Sequence, residues 1–549
     1  MINPFFEKSK EIANSFLQSI VFIDDKAYAG VTLEDPNHDF NAQKVSLAFA
    51  KEKKICGVYQ PKTKQDIEDF KCITKKADVI ILDWKIILLE ADIEDPNADD
   101  DDDPRGIYTL DIIKNIFLDI SKSKESLKLI IVYTGETDLN EITTQIFTEL
   151  NEIKPGLKKE SCKVSSNNTK ILIRAKSSVE DDEVDNKFNH IVGLNDKIVK
   201  YKDLPNFILD EFTMMTSGLL SNFALLSLAT LRQNSSKILG LFSKNLDSAY
   251  LSHKALLPSQ EDAEDLLIEL FGDSISDLLF YNKTNDVIRD IIPDWVEVNI
   301  NEEVHELLNK IGKGYVPIEN FKRSQSLINE LLQSPIKDIS KRYAETFNKE
   351  AGVSKSKMKD SYEHISLSNT VLFLNKEEQI NREEIDKKFS KLAHHKSLFI
   401  PNDIIPKLTL GTVIKSTTIN DKYYICIQQK CDSVRIPYGS ERKFLFIPLV
   451  LSEAKFDILT PEGLKLKKVK DSFSIRTIKF VCQNDQGVIK AELNEDVGTF
   501  IFKQKYEDEY FEWVLDLKDL HSQRIITEYT SQLSRVGLDE SEWHRRFLS

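Results

Sequence analysis

The chain has 549 residues, 41% of them hydrophobic, which is enough for about three or four domains with their own cores and excludes a disordered polypeptide. Its net charge of −15 disfavours nucleic acid as a partner, because phosphate backbones are bound by Lys and Arg. Six cysteines without a C-x-x-C pair, and no visible secretory signal, lead us to expect a reduced, cytoplasmic protein without a cysteine-based zinc site. No apolar run reaches the roughly 18 residues of a membrane span, so we expect no membrane association.

Apolar runs typical of strands alternate with amphipathic helices in the first third of the chain. The runs are SIVFI from residue 19, ICGVY from 55, VIIL from 79, LIIVYT from 129 and ILIRAK from 171. Between them, apolar residues recur at helical spacing. Strands that alternate with helices predict an α/β domain with a doubly wound, five-stranded parallel sheet.

Two further regions follow along the chain. Residues 218–395 carry apolar positions at helical spacing and almost no strand pattern. From residue 396 the period changes to two, in short segments separated by turn residues. We therefore expect three domains: the α/β domain at 1–217, an α-helical domain at 218–395, and a C-terminal β-rich small barrel or sandwich with a final helix at 396–549.

Polar side chains stand where several of the predicted strands end. Asp24 and Asp25 follow the first strand, Asp83 follows the third, Thr134 ends the fourth and Lys176 ends the fifth. The carboxyl ends of parallel strands lie at one edge of the sheet, so these side chains can converge. Three carboxylates at one point repel one another unless a divalent cation lies among them. Mg²⁺ fits such a site, because it is commonly coordinated by a few carboxylates together with water molecules. The pattern predicts a magnesium site that holds a phosphoryl group on a carboxylate.

This order of residues resembles the receiver domain of bacterial response regulators, which has a flavodoxin-like fold, over roughly residues 15–216. The resemblance implies that Asp24 and Asp25 bind Mg²⁺. It implies that Asp83 is the phosphoacceptor and also a metal ligand. The backbone carbonyl of Lys85 would be a further ligand.

The same resemblance implies that Thr134 hydrogen-bonds the phosphoryl group and that Lys176 pairs with it. It also implies a histidine kinase or phosphotransfer protein as donor, and an effector protein that responds. Two positions depart from the family pattern: Ile173 stands where an aromatic switch residue is expected, and Ser177 where a proline is expected. The readout of phosphorylation therefore differs from that of the family, or is lost.

The gaps between the strand ends are longer than usual in the family. In this the chain is similar to the enlarged receivers of multidomain proteins in bacterial conflict and anti-phage operons, which implies a role in antiviral defence. In those proteins a β-rich tail carries a Cys-Asp motif, and Cys431 and Asp432 stand in such a tail here.

Three functional hypotheses remain open at this point. The first is a two-component phosphoacceptor signalling protein. The second is an interaction scaffold with a silent receiver, which Ile173 favours. The third is an enzyme that uses the region of Cys431 and Asp432, for which the sequence offers no complete triad, P-loop or metal-ligand motif. Two simpler interpretations also remain open. The acids could be loop carboxylates that bind no ligand, and Cys431 could be a structural cysteine.

Overall fold

A computed structural model gives the structure of the chain. It describes residues 3–28, 40–88, 106–122, 127–166, 168–177, 195–257, 262–299, shorter pieces between 307 and 338, 382–396, 398, 404–453, 456–469, 474–504 and 510–533. Packing divides the chain into two compact units, 1–301 and 302–549, and each is described by itself. The predicted boundaries of three domains, at 217 and 395, stay a prediction.

The first unit is built on a mixed sheet whose core is parallel. The five predicted strands are β1 Ser19–Ile23, β2 Ile55–Tyr59, β3 Val79–Leu82, β4 Lys128–Thr134 and β7 Thr169–Ser177. They lie in the order β2-β1-β3-β4-β7 and all pair in parallel. This confirms the predicted parallel α/β core. The described sheet has three more short strands, β5 Lys158–Glu160, β6 Lys163–Ser165 and β8 Ile198–Lys200, which the sequence analysis did not predict.

Helices cover both faces of this sheet because successive strand residues point to opposite sides. One core contains Ile67, Ile112 and Ile146 together with Ile80 and Leu82 of β3. The other contains the alternate β3 residues and side chains from the remaining helices. The described helices of the unit are α1 Pro4–Phe16, α2 Ala42–Lys51, α3 Lys64–Lys76, α4 Ile107–Lys122, α5 Leu139–Ile153, α6 Leu204–Thr216, α7 Leu219–Leu241, α8 Asp247–Leu256, α9 Asp262–Tyr281 and α10 Thr284–Asn299.

Helix α7 packs directly on the α/β core. Its Leu225 is buried in the second core, and the buried Asn222 side chain donates a hydrogen bond to Ser9 Oγ on α1 at 2.9 Å. Arg232 donates to both carboxylate oxygens of Asp78, at 2.8 and 3.0 Å. Asp78 immediately precedes β3, so α7 is fixed to the amino end of that strand. No helix in the described ranges is long and apolar enough to cross a membrane.

The second unit consists mainly of an antiparallel sheet. Its strands lie in the order β14-β15-β13-β12-β11-β19-β18-β17, with β16 paired to β13. This confirms the predicted β-rich region followed by a final helix. Within 218–395, where almost no strand was expected, a short hairpin is present. Leu307, Leu308 and Ile311 in its first strand have a spacing that also fits a helix, so the sequence did not indicate a strand there. The described elements are β9 Leu307–Ile311, β10 Gly314–Ile318, α11 Arg382–His394, β11 Thr412–Ser416, β12 Tyr423–Cys426, β13 Glu441–Leu451, β14 Ile458–Leu459, β15 Lys465–Lys468, β16 Arg476–Val481, β17 Glu492–Asn494, β18 Thr499–Lys503, β19 Tyr510–Asp516 and α12 Asp519–Leu533.

Candidate metal and phosphoacceptor site

The register of the parallel strands brings the predicted acids to one edge of the sheet. Ile23 at the end of β1 pairs with Leu82 at the end of β3. The next residue on each strand is an aspartate, and the Asp83 backbone N–H donates to the Ile23 carbonyl at 2.9 Å. Asp24 and Asp83 therefore lie side by side at the carboxyl ends of buried strands.

Three carboxylates converge at this edge. One oxygen of each of Asp24, Asp25 and Asp83 lies within 4.8 Å of the other two. Asp24 is fully buried and Asp83 is 7% exposed. Oδ1 of Asp25 and Oδ1 of Asp83 are buried without a hydrogen-bond partner in the part of the chain that the structure describes. Unpartnered anionic oxygens are costly unless a cation neutralises them, so this set fits a hard divalent ion such as Mg²⁺.

Lys176 joins two of these carboxylates. Its Nζ lies 2.5 Å from Asp24 Oδ2 and 2.8 Å from Asp83 Oδ2. Thr134 at the end of β4 pairs with Ala175 of β7, so Lys176 emerges one residue beyond, at the same edge. The Phe40 ring, 5.4 Å from Nζ, covers the ammonium. One buried cation thus faces three acids.

Burial dominates the electrostatics of the site. It raises the pKa of Asp83 by more than the Lys176 ion pair lowers it. Burial, followed by the charge of Asp24, raises the pKa of Asp25 to about 6. Burial alone would lower the pKa of Lys176, but the charges of Asp24 and Asp83 outweigh it and raise that pKa. The acids are therefore short of positive charge while Lys176 is fully protonated.

The remaining predicted residues lie around the triad. Thr134 is fully buried at the end of β4, and its Oγ1 accepts a hydrogen bond from the Glu136 backbone N–H at 3.1 Å. Lys85 stands in the loop two residues after Asp83, and the role of its carbonyl stays a prediction. Ile173 is fully buried in β7, so no aromatic ring is available at that position.

The described backbone at Asp83 and Trp84 is held by contacts with residues that were not predicted from the sequence. Thr109 Oγ1 donates to the Asp83 carbonyl at 2.5 Å, which ties the acceptor's backbone to α4. Gly106 has φ of +85°, and a Cβ there would lie 2.2 Å from the Trp84 ring. Only glycine allows the chain to pass the indole so closely. Gly106 could have been recognised from the sequence, because a glycine directly before a helix indicates a special backbone conformation. The contacts of Thr109 and Phe40 are tertiary and leave no local sequence pattern.

Within the described ranges, the C-terminal candidates Cys431 and Asp432 do not join a comparable cluster. Cys431 is exposed in a short turn at 430–432, and Asp432 accepts a hydrogen bond from Gln428 Nε2 at 2.9 Å. Among the described residues, the triad of Asp24, Asp25 and Asp83 is the group of His, Cys, Asp or Glu side chains suited to a metal ion.

Residues 16–181 match the family model described as "Response receiver domain". This part of the chain is therefore a response receiver domain, and its clustered acidic triad is typical of a phosphoacceptor site. No curated protein and no solved structure matches the chain.

Proposed function

We propose that the receiver domain at 16–181 accepts a phosphoryl group on Asp83 from a histidine kinase or phosphotransfer protein, and passes the signal to an effector protein. One observation carries the proposal: the carboxylates of Asp24, Asp25 and Asp83 converge within 4.8 Å at the carboxyl edge of a parallel sheet. Receivers are two-component signalling domains, and a kinase donor follows from that class. The role in antiviral defence and the cytoplasmic location stay predictions from the sequence.

The transfer uses an Asp83 carboxylate oxygen as nucleophile. This oxygen attacks the phosphorus of a phosphohistidine, an O–P bond forms, the N–P bond breaks, and the imidazole leaves with the electron pair. Lys176, already 2.8 Å from Asp83, offsets the charge brought by the phosphoryl group. The Thr134 hydroxyl donates to a phosphoryl oxygen after leaving its present turn. Mg²⁺ held by Asp24, Asp25, Asp83 and the Lys85 carbonyl would supply further positive charge for the phosphoryl oxygens.

Incubation with acetyl phosphate and Mg²⁺ tests the proposal. Intact-protein mass spectrometry should show the addition of one phosphoryl group, and Asp83→Asn should abolish it, because an amide oxygen is a far poorer nucleophile. Asp138→Asn is the matched control, since Asp138 is an exposed acid just beyond β4. Undiminished addition in Asp83→Asn would place the acceptor elsewhere.

A receiver-shaped scaffold that is never phosphorylated is the second candidate. The buried Ile173 favours it, because an aliphatic side chain in the core cannot act as an aromatic switch. The same measurement separates the two: a chain that takes up no phosphoryl group from acetyl phosphate, and none from a phosphorylated kinase, is a scaffold.

A further inference from the structure

Helix α9 carries an apolar face that is exposed in the part of the chain that the structure describes. Leu267, Ile268, Leu270 and Phe271 are all exposed, Ile268 by 72% and Phe271 by 48%. At 100° per residue these four side chains lie within about half of the helix circumference. The ring of Phe242, which follows α7 and is also exposed, lies 5.7 Å from that of Phe271. We call these five residues the α9 surface.

Two of the helices that contact α9 behave differently, whereas α8 has no buried residue. Helices α7 and α10 bury Leu225 and Ile291 in the core that they share with the receiver. Of the α9 side chains that the structure describes, Ala263 alone is buried. Most helical stability in proteins comes from packing of an apolar face, and a contiguous exposed apolar patch marks an interaction site.

A stripe of carboxylates runs beside the α9 surface. Asp265, Glu269, Asp273 and Asp277 recur every four residues, so they lie along one side of the helix. All four are exposed, and they form no ion pair within the described ranges. Helix α9 contains no Lys, Arg or His that would offset them. Like charges four residues apart destabilise a helix, so a cationic partner would relieve this repulsion.

We propose that the α9 surface binds a basic amphipathic helix of another protein. Apolar side chains on one face of such a helix would cover Leu267, Leu270 and Phe271. Lysines or arginines on its flank would pair with the acidic stripe. A second copy of this chain fits less well, because an α9–α9 contact would bring two acidic stripes together. The proposal does not depend on phosphorylation of Asp83.

A peptide titration of the full chain tests this proposal. The probe is a fluorescent helical peptide as long as α9, with leucines on one face and lysines on its flanks. Its scrambled version has the same composition and charge but no apolar face. The amphipathic peptide should bind saturably and about tenfold more tightly than the scrambled one, and added salt should weaken the binding. Equal binding of the two peptides would overturn the proposal, because it would reflect charge alone.

Two surface variants test the binding residues separately. Ile268→Gln removes an exposed apolar side chain, and the pair Asp273→Asn with Asp277→Asn removes half of the stripe. Each should weaken binding about fivefold or more while the far-UV circular dichroism stays unchanged. The controls are Leu520→Gln, an 82% exposed leucine on α12, and Glu11→Gln, an exposed acid on α1. Unchanged binding in both α9 variants would overturn the assignment.

Sedimentation of the protein alone distinguishes a foreign partner from a second copy of this chain on the α9 surface. A chain that stays monomeric at the concentrations of the titration supports a foreign partner. A dimer that Ile268→Gln dissociates would overturn the proposal and give the α9 surface to a second copy.

Discussion

Lys176 sets the charge balance of the receiver site, because its ammonium contacts Asp24 and Asp83 at once. Removing one member of a buried ion pair leaves the partner's charge uncompensated, which costs far more than the pair contributes net. The same lysine is thus both a stabilising residue of the resting protein and the proposed partner of the phosphoryl group. These two roles can be separated experimentally, since stability is measured without a phosphodonor.

Replacing Lys176 with Gln should lower the free energy of unfolding by about 3 kcal/mol at neutral pH, because two buried carboxylates lose their cation. Urea unfolding measures this loss. Mg²⁺ should restore part of it, since a divalent ion supplies the missing charge. Lys163→Gln, which removes a more exposed pair with Glu160, should cost less than about 1 kcal/mol. Similar losses in the two variants would contradict the role given to Lys176.

Mg²⁺ should bind the triad weakly, because this ion dehydrates reluctantly and keeps several waters. The Trp84 indole is buried next to the acceptor and should report binding by its fluorescence. Asp25→Asn should weaken the response, since it removes one ligand, while Asp138→Asn should not. The variant Trp84→Phe should remove the fluorescence change, which shows that it does not come from the other three tryptophans. If neither fluorescence nor calorimetry detects saturable Mg²⁺ binding, the prediction of a magnesium site is wrong.

At the scale of elements, helices α11 and α12 meet through two histidines. The rings of His394 and His521 stack 3.6 Å apart and nearly parallel. Arg524 donates to His521 Nδ1, and His521 Nε2 lies 3.1 Å from the Asp457 carbonyl. A ring that accepts at Nδ1 and donates at Nε2 is neutral. Burial and the adjacent His394 lower the pKa of His521 to about 4.

This arrangement predicts that the second unit loses stability in acid. The unfolded histidine binds its proton near pH 6.5 but the folded one only near pH 4, so the stabilisation is complete above about 6.5 and is lost as pH falls towards 4. The change should be roughly 1–3 kcal/mol in urea unfolding between pH 7 and 4.5. His521→Gln should flatten this dependence, whereas His253→Gln, at an exposed histidine on α8, should not. Equal slopes in both variants would exclude the stacked pair as the cause. The other described charged groups that interact with one of the two rings are His395, Arg524, Lys518, Asp457 and Glu528.

The elements that the sequence predicted are those with an uninterrupted local pattern. The strands β1, β3 and β4 are buried on both faces, and such continuous apolar runs can be recognised from the sequence alone. The convergence of Asp24, Asp83 and Lys176 was predictable because parallel strands share an edge. By contrast, β5 consists of three exposed residues, and its pairing with β6 leaves no apolar signal.

At the scale of the whole receiver unit, ion pairs connect two of the strands that carry the phosphoacceptor site with the helices that follow. Strand β7 carries Lys176, and its Lys170 and Arg174 hold Glu211 of α6, at 2.5 and 3.7 Å. Helix α6 leads directly into α7, whose Arg232 holds Asp78 at the start of β3. With Ile173 buried, these ion pairs are the candidate route for a modest conformational change.

Hydrogen exchange with beryllofluoride and Mg²⁺, a phosphoryl mimic, should change protection in 139–150 and in 204–240 together, because coupling shifts a population between two states. Glu211→Gln should keep the first change and reduce the second. Asp210→Asn is the matched control, since Asp210 is adjacent on α6 but pairs with Lys10 instead. A response confined to 139–150 in the unaltered protein would contradict the coupling to α6 and α7.

The Arg232–Asp78 pair limits how freely this receiver could be exchanged for another. Asp78 lies inside the segment that matches the receiver family, whereas Arg232 lies beyond its end. A hybrid carrying a foreign receiver at 16–181 would keep the arginine and lose its carboxylate, unless the incoming domain has an acid just before its third strand. It would also lose Phe16, whose ring lies 4.3 Å from the guanidinium. Compatibility between this receiver and the helices behind it therefore depends on a residue pair at the opposite end of β3 from the phosphoacceptor.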